Sequence, residues 1–127
     1  KKNIKINNLH FYDDLSLLLR EKKIDIVLFS SSLQYLENPY FVLSKFIQKR
    51  IPDIIIHRSP FTDGDDVIKI QNIPKHIYKS SYPIRILSIR KVINLLSAEG
   101  YKIKFKKKLI EEVDGYSYKT YHFKRSL

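Results

Sequence analysis

The chain has 127 residues, a length that allows one domain with a buried core. Its composition, 43% hydrophobic and 29% charged, is that of a globular protein, and no apolar run approaches the ~20 residues that a membrane-crossing helix needs. The absence of cysteine excludes disulfides and thiolate metal sites, and a formal charge of +11 raises polyanions as partners.

Leu9 to Tyr12 is a short apolar run before Asp13-Asp14, after which Leu15, Leu18 and Leu19 recur at helical spacing, so a strand, a cap and a helix are expected. Ile24 to Phe29 is apolar except for Asp25 and has the length and β-branched content of a strand buried on both faces. It stops at Ser30-Ser31-Ser32. Asn38-Pro39 supplies an N-cap and a favoured first helical residue, and Val42, Leu43, Phe46 and Ile47 form the apolar face that follows. Ile54-Ile55-Ile56 is a second buried strand. Arg58 to Asp66, with Pro60, Gly64 and three aspartates, reads as a loop at its carboxyl end.

Val67, Ile68 and Ile70 predict a short strand, and Ile73 to Pro83 an irregular excursion or lid. Ser88 caps a helix with Ile89, Val92, Ile93 and Leu96 inward, and Gly100 stands where a helix C-cap glycine belongs. Tyr101 to Leu109 is a strand, and Asp114-Gly115 turns it into a second one, Tyr116 to Phe123. The order predicts an α/β fold: a mainly parallel sheet with helices on both faces and a carboxy-terminal antiparallel hairpin. No repeat, low-complexity tract or linker interrupts a single domain.

The basic charge has two readings. One is nucleic-acid binding; the other is a background rich in Lys, Ile, Asn and Tyr, with a single alanine and three glycines. The second is preferred, because the densest cluster (Lys102, Lys104, Lys106, Lys107, Lys108) alternates with Tyr101, Ile103 and Phe105, the pattern of the solvated side of a half-buried strand. Nucleic acid is therefore not the expected partner. The start, Lys1-Lys2-Asn3-Ile4, has neither methionine nor the zones of a secretory signal, so the chain is expected to lie inside a longer reading frame, with the cytoplasm as default location.

In an open α/β sheet, ligands bind beyond the carboxyl ends of the parallel strands, which here means Tyr12 to Asp14, Ser30 to Tyr35 and His57 to Asp66. The segment Asp25 to Tyr40, a buried strand, a small-residue turn, Gln34-Tyr35 and then Asn38-Pro39, resembles the fourth strand and following loop of class I (Rossmann-like) S-adenosylmethionine-dependent methyltransferases. Leu33-Gln34-Tyr35, Arg58 to Thr62, Ile77-Tyr78 and Ser80 to Pro83 together resemble a little-characterised bacterial methyltransferase family associated with surface-polysaccharide biosynthesis. The resemblance implies a sheet ordered three, two, one, four, five, seven, six. This chain would supply strands three to seven, the carboxy-terminal portion of the domain, without the glycine-rich turn that holds the cofactor. No Gly-x-Gly occurs in it.

The resemblance further implies that Tyr12 and Asp13 flank the adenine, with Asp13 or Asp14 as a plain helix cap in the alternative. Ser30, Ser31, Ser32 and Gln34 would line the methionine end, or else form a polar turn beside a packed Tyr35. Methyl transfer from a sulfonium is an in-line displacement that depends chiefly on positioning. His57 is the candidate base, Arg58 a holder of an anionic or sugar substrate, and Tyr35 a neighbour of the transfer zone. For His57 the alternative is a structural role, and for Arg58 a salt bridge to Asp63, Asp65 or Asp66. Phe61, Tyr78 and Tyr82 are candidates for the acceptor, a small or glycan-related molecule methylated on oxygen or nitrogen. The aspartates around Gly64 lack the spacing of a calcium loop, and no metal is expected. In this fold, strand Ile24 to Phe29 loses its neighbour, so either strand Leu9 to Tyr12 covers its edge or a second copy does so in a homodimer. A solvent-exposed, unpaired edge there in a monomer would contradict both and would mean that placing this segment as the fourth strand is wrong.

Overall fold

The computed structural model describes residues 9–72 and 81–126. In chain order these form helix α1 (Leu15–Glu21), strand β1 (Ile26–Ser30), a 3-10 turn (Leu33–Tyr35), α2 (Pro39–Gln48), β2 (Asp53–Thr62), β3 (Val67–Asn72), β4 (Ser81–Ser88), α3 (Ile89–Ser97), β5 (Tyr101–Val113) and β6 (Tyr116–Arg125). The caps explain several boundaries. Asp14 accepts from the amides of Ser16 and Leu17 to start α1, and the Ser88 hydroxyl accepts from the Lys91 amide to start α3. Asp114 and Gly115 both have positive φ, 48° and 84°, as a tight two-residue hairpin turn requires.

β2 is the hub of the sheet. Its first half pairs parallel with β1, from Ile26–Asp53 to Ser30–His57, and antiparallel with β6 on the other side. Its far end, Phe61-Thr62, pairs parallel with β4, which carries β3 as an antiparallel hairpin partner, while β5 lies outside β6. The sheet is therefore mostly antiparallel, with only the β1–β2 and β2–β4 pairings parallel, where the sequence predicts a mainly parallel one. The difference comes from the β3–β4 hairpin, whose second strand falls in a proline- and tyrosine-bearing segment that lacks a local strand pattern.

Val27 and Phe29 on β1, Ile54 and Ile56 on β2, and Tyr121 and Phe123 on β6 share one face. They pack with Leu43, Phe46 and Ile47 of α2 and with Val92 and Leu96 of α3, and Leu15 and Leu19 of α1 join the same cluster. At roughly 25 cal/mol per Å² of apolar surface, this single layer carries most of the folding free energy. The buried Tyr101 hydroxyl donates to the Ile51 carbonyl at 2.6 Å and ties β5 to the α2–β2 connection. Helices on both faces were expected. Among the described residues they cover one face, and on the other Ile26 and Leu28 remain 58% and 60% exposed.

Residues 9–12 form no strand, so the expected covering of β1 is not observed: Leu9 and Phe11 point into solvent, and Asp13-Asp14 enter the turn and cap. Among the described residues β1 pairs only with β2, and its other edge is open. That open edge counts against the fourth-strand assignment. The pairing counts for it, because the order β1-β2-β6-β5, with β6 antiparallel to both neighbours, is the order of strands four, five, seven and six.

Candidate active site

β1 ends beside the middle of β2, and an unusual backbone conformation stands at each of the two places. Ser31, just past β1, has φ +50°, and Arg58, within β2, has φ +56°, left-handed conformations that cost a non-glycine residue about 1 kcal/mol or more. The Ser31 amide donates to the His57 carbonyl at 2.8 Å and ties the end of β1 to β2. At Arg58 the β2–β6 register shifts between Ile56 and Ser59, a bulge that turns the following side chains.

Gln34 holds this bulge from the inside. Only 2% exposed, it accepts from the Ser59 hydroxyl at 2.6 Å and donates through Nε2 to the Arg58 carbonyl at 3.3 Å. Both ends of its amide are thus engaged within the protein. The residue expected to touch cofactor instead positions the loop that carries Arg58. Ser30 is exposed, and Ser31 and Ser32 are half-buried beside it.

His57 belongs to β2 itself and does not follow it, since the strand runs on through Thr62. Its Nδ1 lies 2.9 Å from the Thr120 hydroxyl of β6, which also accepts from the Arg58 amide at 3.4 Å. In the tautomer with a proton on Nδ1, that nitrogen donates to Thr120 and Nε2 keeps the lone pair a base needs. Arg58 pairs with Glu111 of β5 at 3.6 Å, an exposed contact of little energetic weight. Of the three expected aspartate partners, Asp65 pairs with Arg90 and Asp66 with Arg85, and Arg58 forms no ion pair with Asp63 among the described residues. The Arg58 Nε is buried without a hydrogen-bond partner among the described residues, a costly condition that a bound acceptor would relieve.

Tyr35 lies over this region. Its ring meets Tyr82 of β4 edge-on at 5.6 Å, and its hydroxyl reaches Gln71 of β3 at 3.4 Å. Burial, then the neighbouring Tyr118 and Tyr82, push the Tyr35 phenol above its ordinary value. Burial does the same to Tyr118 of β6, against the pull of Arg58. Both phenols therefore stay protonated near neutral pH. Between the 3-10 turn and the β3–β4 hairpin lies a cavity of about 260 Å³ lined by Gln34, Tyr35, Ile68, Pro83 and Arg85.

The structure thus brings Ser30, Ser31, Ser32, Tyr35, His57, Arg58 and Tyr82 to one end of the sheet. Phe61 is elsewhere: it is buried in the core and packs edge-on against Tyr121 at 5.0 Å, because β2 continues where a loop was expected. It is not placed to touch a substrate. Asp13 is exposed and Asp14 is the helix cap, while the Tyr12 hydroxyl reaches Glu21 at 3.4 Å. Tyr78 lies outside the described residues. Thr120, Ser59 and Tyr118 escape a sequence reading, since their roles arise from contacts across β6 and the bulge that no local pattern announces.

No family model matches the chain, and no curated protein does. Solved structures do. The glycopeptide N-methyltransferase MtfA, crystallised with S-adenosyl-L-methionine, superposes with a TM-score of 0.57 at 10% identity, over 84% of this chain and 55% of its own. A S-adenosylmethionine-dependent methyltransferase from Clostridium acetobutylicum ATCC 824 gives 0.49 at 12% identity, over 83% and 59%. The N-terminal domain of EvdMO1, crystallised with SAH, gives 0.44 at 14%, over 81% and 46%. The chain shares its fold with the part of MtfA that it covers, and it spans about half the length of the structures it matches. Tested against S-adenosylmethionine, the residues present fit one wall only. Serines, an arginine donor without a partner among the described residues, and tyrosines meet where β1 ends beside β2, but Gly64, Gly100 and Gly115, the three glycines of the sequence, all lie in other loops.

Proposed function

We propose that this chain is the carboxy-terminal portion of a S-adenosylmethionine-dependent methyltransferase that acts on oxygen or nitrogen of a small or glycan-related acceptor. One observation carries the reading: β1 ends in left-handed Ser31 beside a bulge of the parallel strand β2 at left-handed Arg58, with His57 next to it and the Tyr35–Tyr82 pair following from the adjoining turn and β4. The fold likeness to MtfA supports it. When bound, the cofactor would supply an already activated methyl group. The residues of this chain then have ordinary tasks: Ser30 to Ser32 contact the cofactor, Tyr35 and Tyr82 hold and orient the acceptor, and Arg58 offers its free donor to an anionic or hydroxyl group. His57, oriented by Thr120, accepts the acceptor's proton at Nε2. The cytoplasm, where the cofactor is made and used, is the fitting compartment.

Calorimetry with S-adenosylhomocysteine tests the division of labour. The isolated chain, with one wall of the site, is expected to bind with a dissociation constant weaker than about 100 µM, an interaction of less than about 5.5 kcal/mol. Low-micromolar binding by the chain alone would overturn the need for a glycine-rich turn supplied from elsewhere. The region encoded immediately before Lys1 is expected to hold that turn, a strand followed by Asp/Glu-x-Gly-x-Gly, and the protein that includes it is expected to bind tightly.

A further inference from the structure

The lysine-rich strand does not have the surroundings its alternation predicts. On β5 only Tyr101 is buried: Phe105 is 52% exposed and Ile110 98% exposed, so the lysines are not the wet side of a core strand. Between Tyr101 and Leu109 lie five lysines and no acid, while Glu111, Glu112 and Asp114 stand at the turn end of the hairpin. Lys102 sits directly opposite Lys124 on β6, and Lys108 directly opposite Lys119, pairings of like charge that destabilise an antiparallel ladder.

At the base of the hairpin, Arg50, Lys102, Lys104, Lys124 and Arg125 line one cavity of about 660 Å³, with Pro52 and Ile103 as its apolar wall. The acid beside it is already engaged: Asp53 accepts from His122 at 2.7 Å and has Lys124 at 3.8 Å. The His122 hydrogen bond, then the Lys124, His122 and Lys104 charges, hold its carboxyl below the ordinary range against the opposing effect of burial. Five cations therefore face one space with a surplus of positive charge. Phe105 follows Lys104 on the same strand, across from His122, and presents an exposed aromatic side chain.

We propose that the base of the β5–β6 hairpin binds single-stranded nucleic acid, its phosphates held by the five cations and a base stacked on Phe105. Cations that track a backbone next to an exposed aromatic ring are the two elements of sequence-tolerant single-strand recognition. The surface lies at the amino end of β2, opposite the candidate active site, and does not depend on methyl transfer.

Fluorescence anisotropy of the chain with a labelled oligo-dT of about 20 nucleotides tests this. With five phosphates neutralised, the logarithm of the binding constant should fall with that of salt concentration at a slope of about −3.5, roughly a 100-fold loss between about 50 and 200 mM. Replacing both members of the cross-strand pair, Lys102→Gln with Lys124→Gln, should bring the slope to about −2. Phe105→Ala should weaken binding roughly 5- to 150-fold at unchanged slope, and Phe105→Tyr should restore it. All three positions are exposed, so the Phe105 variants should unfold as the parent does, and the double lysine variant, freed of a like-charge pair, should unfold at the same temperature or higher. No binding at about 50 mM salt overturns the proposal. So does a duplex bound as tightly as the single strand with no effect of Phe105→Ala, which would reduce the surface to a general attraction between opposite charges.

Discussion

Asp66→Ala is expected to lower the unfolding free energy by about 3 kcal/mol, among the largest single-residue effects in this fold. Asp66 is the acceptor on which three elements converge. Its Oδ1 accepts from the Tyr40 hydroxyl of α2 at 2.5 Å and from the Ser88 amide that begins α3 at 2.8 Å, and its Oδ2 accepts from Arg85 of β4 at 3.1 Å. The Asp66 side chain is 10% exposed and that of Arg85 26%. Removing the carboxylate leaves a largely buried guanidinium, whose Nε already lacks a partner among the described residues, and an unmet Tyr40 hydroxyl donor, with the Ser88 amide reduced to its 3.3 Å bond to Tyr40. Burial, then the hydrogen bond and charge of Asp66, push the Tyr40 phenol far above its ordinary range, so Tyr40 remains a donor across all ordinary pH. Asp66→Asn keeps an acceptor and should cost only about 1 kcal/mol. Urea unfolding followed by circular dichroism gives both values, and a change within about 0.5 kcal/mol for Asp66→Ala would remove the network from the account.

In the protein that carries the complete cofactor site, Arg58→Ala and Tyr35→Ala are each expected to reduce kcat/KM roughly 100-fold while leaving thermal unfolding nearly unchanged. Neither side chain is a core element: Tyr35 is 45% exposed and the Arg58 guanidinium ends in an exposed pairing with Glu111. A loss of that size corresponds to about 2.7 kcal/mol of transition-state stabilisation, what one charge-assisted hydrogen bond or one positioning contact supplies in a water-poor site. His57→Ala separates two roles. With His57 as the base, kcat falls and cofactor binding is unchanged, and Thr120→Val, which removes the group that orients Nδ1, falls in the same direction by a smaller factor. Activity within a few-fold of the parent for both Arg58→Ala and Tyr35→Ala would take these two residues out of the site.

Much of the frame was readable locally. Pro39, Ser88 and Asp114-Gly115 each carry their structural reason within a few residues, and α2, α3 and the β5–β6 turn begin where these signals put them, although Asn38 makes no side-chain cap bond and α3 is capped at Ala98, two residues before Gly100. The course of β2 was not readable. Arg58, Ser59 and Pro60 are loop-forming by type, yet they continue the strand, because Gln34, at the start of a different loop, clamps the bulge from inside. The same long-range contact turned Gln34 from a presumed ligand into a support. On β5 the alternation of lysine with isoleucine and phenylalanine had the right period and the wrong surroundings. A period of two shows that a segment is a strand, and it does not show that a layer covers the apolar side. The turn after β1 was legible as a candidate site because an α/β sheet puts ligands there, whereas the groups that orient its neighbours on β2, Thr120 and Ser59, enter through contacts made only on folding.

The proposed function places one wall of a site for S-adenosylmethionine at the carboxyl end of β1 and the adjoining bulge of β2. Amide chemical-shift mapping of the ¹⁵N-labelled chain, titrated with S-adenosylhomocysteine, tests this most directly, because it locates even weak binding. The expected result is a fast-exchange perturbation centred on Ser30 to Tyr35 and on His57 to Ser59, with the amides at the base of the β5–β6 hairpin unmoved. Perturbations centred anywhere else, or none at about 10 mM ligand, a concentration at which even a binder of about 4 kcal/mol is mostly occupied, would contradict it.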